Sequence, residues 1–214
     1  MADRPARPYR IEACVVDAAQ AMAAQRHGAD RLELCRDLHT GGLTPEFGMV
    51  EDICTRTHIP FRLMIRCTAD GFAATPEVLR KMTEEIRRFQ SLSVEGYVFG
   101  VMRDGRIDRE SMARLVDAAD GRPCTVHKAI DESIDVEADI ELLNTLEGLD
   151  TVLTSGGAQT ALEGIAGIRR IRGCFRGDVM AAGRITPEML PALHAALRLP
   201  WYHGRAITGL EEMA

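Results

Sequence analysis

Short apolar runs alternate with longer amphipathic stretches along the whole chain. Eight of these runs have the length of a β-strand and contain few strand-breaking residues. They cover residues 11–16, 32–35, 61–65, 97–101, 124–126, 151–153, 179–182 and 201–203. The pattern therefore predicts eight strands separated by helices.

The stretches between the runs have helical periodicity. In residues 76–92, apolar side chains recur at the spacing of a single helix face, with charged residues largely opposite. The tripeptide Thr-Pro-Glu occurs at residues 44–46, 75–77 and 186–188. It predicts three helix starts, because threonine caps a helix, proline suits its first position and glutamate is stabilised by its positive end.

Repeated strand–helix units predict a fold of the α/β class. Eight units between residues 11 and 206 leave about 24 residues for each, enough for a strand, a helix and two short loops. We predict a single-domain (β/α)8 TIM-type barrel of minimal size over residues 10–214, preceded by a flexible tail at residues 1–9. The alternative is an open doubly wound sheet, but its G-x-G-x-x-G fingerprint is absent.

Composition and charge exclude some classes of function. The 214 residues are 46% hydrophobic and carry a net charge of -6, so the chain lacks the basic footprint that selects nucleic acid or an anionic membrane. No apolar run is long enough to span a membrane, and the first ten residues are too polar for a secretory signal, which predicts a cytoplasmic protein. The six cysteines form no C-x-x-C motif, so we expect free thiols.

Chemistry in a TIM-type barrel belongs to the carboxyl ends of the strands. Strand alternation places Glu12 and Cys14 on one face of the first strand, and Glu33 and Cys35 on one face of the second. The other candidate acids and bases at the strand ends are Arg66, His127, Lys128 and His203. Two alternatives stay open: the charged residues could form a structural ion-paired layer, and each cysteine could be a small buried apolar residue.

Several short segments resemble the CutC copper homeostasis family. They read ADRLELC at 29–35, GGLTPEFG at 41–48, LMIR at 63–66, VFGV at 98–101, DGRID at 104–108, and LTSGG and TALEG within 153–164. The resemblance runs in order over nearly the whole chain. It implies a cytoplasmic (β/α)8 barrel, a homodimer, a link to copper tolerance, and Cu(I) binding through the matching thiols, Cys14 and Cys35. The residues that match the family's polar mouth are Glu12, Glu33, Arg66, His127, Asp131 and His203.

The chain departs from the family pattern around the predicted mouth. An arginine and a glycine typical of the family are missing from residues 64–72, and Lys128 replaces a typical arginine. Arg184 and Arg205 stand in segments where the family has small residues. Because arginine binds phosphate and carboxylate groups through two hydrogen bonds, these changes predict an anion site after the last two strands. Its predicted members are Gly183, Arg184, Gly204 and Arg205, together with Ser155 and Gly156, which follow the sixth predicted strand.

Two functions are therefore predicted. The first is a copper homeostasis protein that binds Cu(I), a soft ion, through Cys14 and Cys35. The alternative is an enzyme of lyase or isomerase type acting on a small phosphorylated or carboxylated carbonyl or sugar-derived substrate. Its arginines would hold the anion, and Lys128 would form a Schiff base or, alternatively, an outward ion pair with Asp131. No organic cofactor is indicated.

Overall fold

A computed structural model describes residues 7–210 and contains one closed barrel of eight parallel strands. The barrel strands are β1 (Arg10–Val15), β2 (Arg31–Leu34), β3 (Phe61–Met64), β4 (Gly96–Phe99), β7 (Cys124–Val126), β8 (Leu149–Thr154), β9 (Asp178–Ala181) and β10 (Trp201–Gly204). A two-stranded hairpin, β5 (Met102–Arg103) and β6 (Arg106–Ile107), follows β4. The predicted TIM-type barrel is confirmed, and all eight predicted strands coincide with barrel strands.

Seven α-helices connect the strands in the part of the chain that the structure describes. They are α1 (Ala18–Arg26), α2 (Phe47–Arg56), α3 (Pro76–Phe89), α4 (Arg109–Ala118), α5 (Val136–Leu143), α6 (Ile165–Cys174) and α7 (Leu190–Leu197). The helix α3 buries Leu79, Met82, Ile86 and Phe89, which is the predicted apolar face. These contacts attach the helix layer to the outside of the barrel.

Only one of the three Thr-Pro-Glu helix starts is confirmed. Thr75 caps α3 and accepts a hydrogen bond from the Val78 amide at 3.2 Å. The prediction is wrong for α2, which begins at Phe47, because the Thr44 hydroxyl instead exchanges hydrogen bonds with the backbone of Arg66 at the end of β3. It is also wrong for residues 186–188, which form a turn before α7.

Charged side chains fill the amino-terminal end of the barrel. Arg62 is fully buried, and its guanidinium donates to both carboxylate oxygens of Asp150 at 2.6 Å and to the Thr125 hydroxyl at 2.6 Å. Glu95 lies 3.6 Å from Arg62 and 3.7 Å from Arg31. These contacts form an ion-paired layer at the amino-terminal end of the barrel, away from the carboxyl ends of the strands.

Residues 1–6 of the predicted flexible tail lie outside the described residues. Arg7 forms an ion pair with Asp30 at 2.8 Å, and the Tyr9 ring packs against His194 and Tyr202. The six cysteines are free thiols, as predicted. Among residues 7–210, the helices are all too short or too polar to cross a membrane.

Candidate functional site

Two thiols face each other at the carboxyl end of neighbouring strands. Cys14 lies on β1 opposite Glu33 of β2, and Cys35 directly follows β2. The Cys14 Sγ donates to the Cys35 Sγ over 3.5 Å, and the Cys35 Sγ donates to Glu33 Oε2 over 3.5 Å. Both side chains are buried and pack against Met64 and Val98. The predicted pairing of thiols across adjacent strands is therefore present.

A network of buried polar side chains lies next to the thiols, on the side nearer the barrel interior. Glu12 is fully buried and accepts a hydrogen bond from the Arg31 Nε and another, at 2.9 Å, from the His203 Nδ1. The other ring nitrogen, His203 Nε2, lies 3.6 Å from Glu33 Oε2. The strand register produces this order, because Glu12 lies opposite both Arg31 of β2 and His203 of β10. Glu12 thus supports His203 from below and does not reach the surface.

The two carboxylates have different electrostatic environments. Burial alone would raise the pKa of Glu12, but Arg31 and His203 favour its charged form and lower the pKa to about 2. Burial raises the pKa of Glu33, and the charge of Glu12 adds to that effect. For His203, burial opposes protonation, yet the carboxylates of Glu33 and Glu12 raise its pKa. Glu12 is therefore ionised, and the neighbouring His203 favours its own protonated form.

The two thiols are held in their protonated form. The hydrogen bond with Cys35 would lower the pKa of Cys14, but burial and the charge of Glu33 raise it to about 11. The hydrogen bond with Cys14, together with burial and Glu33, raises the pKa of Cys35. These thiols are therefore poor nucleophiles at neutral pH.

A cavity of about 740 Å³ opens above this cluster at the carboxyl end of the barrel. Its floor includes Cys14, Glu33 and His203. The predicted residues that line its walls are His127, Lys128, Gly183, Arg184, Gly204 and Arg205. The pocket lies at the predicted end of the barrel.

His127 borders the cavity but is otherwise enclosed. The side chain is the N-cap of a short 3-10 helix, and its Nδ1 accepts a hydrogen bond from the Ala129 amide at 3.1 Å. A Cβ atom at Gly100 would lie 2.7 Å from the His127 ring, so the ring fits only because residue 100 is glycine. Burial and the charge of Arg66 lower the pKa of His127 to about 3, which keeps the imidazole neutral.

Among the described residues, Arg66 forms no ion pair with Glu12 or Glu33, so it takes no part in the structural ion-paired layer that the sequence left open. Its guanidinium donates to backbone carbonyls of the loops after β2 and β3, at 2.8 Å to Thr40 and 3.1 Å to Ala69. It also stacks on the Phe72 ring, 5.0 Å from the ring centre. Arg66 therefore ties two mouth loops together.

Asp131, Ser155 and Gly156 lie behind the cavity wall. The Asp131 carboxylate accepts hydrogen bonds from the Thr154 hydroxyl, from the Ser155 amide and hydroxyl at 2.8 Å each, and from the Gly157 amide at 3.1 Å. The expected ion pair between Lys128 and Asp131 is absent among residues 7–210. The Asp131 carboxylate instead accepts hydrogen bonds from the loop formed by residues 154–157.

Arg31 is the main site residue that sequence reasoning missed. It occupies the first position of β2, on the same face as Glu33 and Cys35. Its guanidinium supplies the positive charge next to Glu12. The alternating sequence RLELC at 31–35 carried the signal, since alternation places residues 31, 33 and 35 on one side of the strand.

Comparisons with known proteins identify similar sequences and a similar fold. The model of the CutC family matches residues 9–203. A copper homeostasis protein cutC homolog from Homo sapiens is 37% identical over 188 residues, covering 86% of this chain and 68% of its own. A family protein CutC from Agrobacterium fabrum is 36% identical over 189 residues, covering 87% and 74%. The crystal structure of CutC from Streptococcus agalactiae superposes with a TM-score of 0.88 at 26% identity, covering 93% of this chain and 99% of its own.

Proposed function

The chain belongs to the CutC copper homeostasis family, and we propose that it binds one Cu(I) ion between the sulfur atoms of Cys14 and Cys35. The observation that carries the proposal is the 3.5 Å contact between these sulfurs on neighbouring strands. Cu(I) is a soft ion that prefers thiolate and thioether ligands, and two opposed thiols can hold it. The relatives named for copper homeostasis support the choice of metal.

The surroundings of the pair suit a soft ion. The Met64 and Val98 side chains pack against the two thiols, and the Met64 thioether is itself a soft donor. Cys14 lines the mouth cavity, so the ion can enter and leave through that side although both thiols are buried. Binding at neutral pH displaces protons from both thiols, because their pKa values are raised.

A second donor set, Cys14, Glu33 and His203, lies in the same place. One ligand atom from each of these residues lies within 4.8 Å of the others. One thiolate, one imidazole and one carboxylate suit Zn²⁺, which accepts sulfur, nitrogen and oxygen ligands. For Cu(I), the softness of the ion favours the two sulfurs, with Glu33 beside the ion and not bound to it.

Anaerobic titration with Cu(I) against a chromogenic Cu(I) chelator tests the proposal. We expect one tightly bound ion in the wild type and none at this site in Cys14→Ser/Cys35→Ser. The matched control is Cys54→Ser/Cys67→Ser, which removes two half-buried thiols away from the pair and should bind as the wild type does. Equal binding by both double variants would overturn the proposal.

Glu33→Gln separates the two donor sets. If the thiol pair holds the ion, this variant keeps Cu(I) binding and loses affinity for Zn²⁺ only. Loss of Cu(I) binding in Glu33→Gln would instead assign the ion to Cys14, Glu33 and His203.

We also propose that the protein acts in the cytoplasm, because a reducing compartment keeps its six cysteines as thiols and maintains copper as Cu(I). The enzyme alternative and the homodimer stay predictions.

A further inference from the structure

One buried hydrogen-bond donor at the mouth has no partner. The Nδ1 of His127 accepts a hydrogen bond from the Ala129 amide, so the ring proton of the neutral imidazole is on Nε2. His127 is only 4% exposed, and its Nε2 has no hydrogen-bond partner among the described residues. An unpaired buried donor is costly, so its presence in a residue that lines the cavity points to a ligand that accepts this hydrogen bond.

The same cavity carries an unusual concentration of positive charge. Lys128, Arg184 and Arg205 line it, whereas Glu33 on the floor is the one acidic residue among its described lining residues. Lys128 is one of only two lysines in a chain with a net charge of -6. Neither Lys128 nor Arg184 forms an ion pair with another residue in the range 7–210. A basic cleft in an acidic protein attracts small anions.

The backbone at one of these cations is strained. Arg184 has a φ of 53°, in the left-handed region that non-glycine residues rarely adopt. The preceding Gly183 has a φ of 117° and packs tightly, since a Cβ there would lie 2.9 Å from the Ala161 amide nitrogen. Strained backbone at a cavity wall is typical of ligand-binding loops.

We propose that the mouth cavity binds a small metabolite through a carboxylate or phosphate group, with the His127 Nε2–H donating to one of its oxygens and Lys128 and Arg184 balancing its charge. The site differs from the predicted anion site, since it includes His127 and Lys128 and omits Ser155 and Gly156. It goes beyond copper binding and requires no metal.

Calorimetric titration of the metal-free protein with oxalate and with inorganic phosphate tests this site. Oxalate represents a planar carboxylate ligand, and phosphate represents a tetrahedral phosphoryl ligand. We expect one of the two to bind with one molecule per chain and a Kd of about 1 mM or lower. The preferred probe then identifies which oxoanion the site takes.

Matched variants locate the binding. Lys128→Met and Arg184→Gln should each weaken binding about tenfold, which is the loss of one charge-assisted hydrogen bond. Lys81→Met removes the other lysine, on α3, and Arg198→Gln removes another left-handed arginine, after α7; both should bind as the wild type does. The Nε2–H resonance of His127 should also shift when the probe binds. The proposal is overturned if neither probe binds at about 10 mM, or if mouth and control variants bind equally.

Discussion

The imidazole of His203 is held between two carboxylates, and its Nδ1 donates to Glu12 at 2.9 Å. Glu12 is fully buried and also accepts a hydrogen bond from Arg31, so removal of its charge leaves Arg31 without its closest partner. Breaking a buried ion pair from one side is strongly destabilising. The hydrogen bonds of Glu12 therefore connect strands β1, β2 and β10 next to the floor of the cavity.

Glu12→Gln should lower the free energy of unfolding by about 3 kcal/mol or more. The control is Glu95→Gln, since Glu95 also lies near Arg31 but has a partly exposed side chain. Its cost should be smaller than that of Glu12→Gln, because Glu95 lies 3.7 Å from Arg31 and 3.6 Å from Arg62, beyond hydrogen-bond distance. Urea denaturation of both variants at neutral pH measures the difference. Equal costs would show that Glu12 contributes no more than Glu95, which forms no hydrogen bond with Arg31 or Arg62.

The Glu12 pKa also predicts an acid limit to stability. Because folding lowers this pKa from an ordinary value of 4.5 to about 2, the stabilisation is complete above pH 4.5 and is lost as the pH falls toward 2. The loss contributed by Glu12 should reach roughly 3 kcal/mol. Denaturation of the wild type and Glu12→Gln between pH 4.5 and 2 measures this loss. The free energy of unfolding of the variant should fall less steeply with pH than that of the wild type, and equal slopes would refute the low pKa of Glu12.

The sequence predicted the barrel because strand-length apolar runs recur eight times at similar spacing. It also placed Cys14 beside Cys35, since strand alternation and parallel neighbours are simple rules. It did not predict the hairpin β5–β6, although residues 104–105 read Asp-Gly and both have positive φ, a typical hairpin turn.

The choice of ion-pair partners could not be read from the chain. Arg31 begins β2 and Arg66 lies two residues after β3, and the strand register brings Arg31, not Arg66, to Glu12. Thr44 similarly fits a helix cap by sequence, but its hydroxyl pairs with the Arg66 backbone, which is 22 residues away along the chain. Such contacts depend on the closed barrel and not on local pattern.

His127 should make stability fall at mildly acidic pH. Its folded pKa of about 3 lies below the ordinary value of 6.5, so the unfolded chain binds a proton that the folded protein excludes. Between pH 7.0 and 5.5 this should cost about 1 kcal/mol of unfolding free energy. His127→Gln should lack this part of the slope, whereas His39→Gln, at an exposed position, should retain it. An unchanged slope in His127→Gln would contradict a buried neutral imidazole.

Gly100→Ala should displace the His127 ring. The new Cβ would lie 2.7 Å from a ring carbon, so we expect a destabilisation of roughly 1–3 kcal/mol. Gly48→Ala is the control, because Gly48 lies in α2 with open space around its Cβ position and alanine favours helices. Thermal unfolding should show a lower Tm for the first variant and an equal or higher Tm for the second. Equal stability of Gly100→Ala and the wild type would refute the close packing.

Cys14 and Cys35 should react slowly with iodoacetamide at neutral pH. Both thiols are buried and have raised pKa values, whereas Cys174 is exposed. Peptide mass spectrometry after brief labelling of the folded protein should show modification at Cys174 first, and full labelling of the pair only after denaturation. Rapid alkylation of Cys14 or Cys35 in the folded state would contradict their protonated, enclosed environment.

X-ray absorption spectroscopy at the copper edge tests most directly whether Cys14 and Cys35 bind Cu(I). The sample is a Cys54→Ser/Cys67→Ser/Cys174→Ser variant, which retains Cys14, Cys35 and Cys124, loaded anaerobically with one Cu(I) per chain. We predict a first shell containing two sulfur neighbours that disappears when Cys14 and Cys35 are also changed to serine. A shell of nitrogen and oxygen alone, or a sulfur shell that survives those two changes, would contradict Cu(I) binding between Cys14 and Cys35.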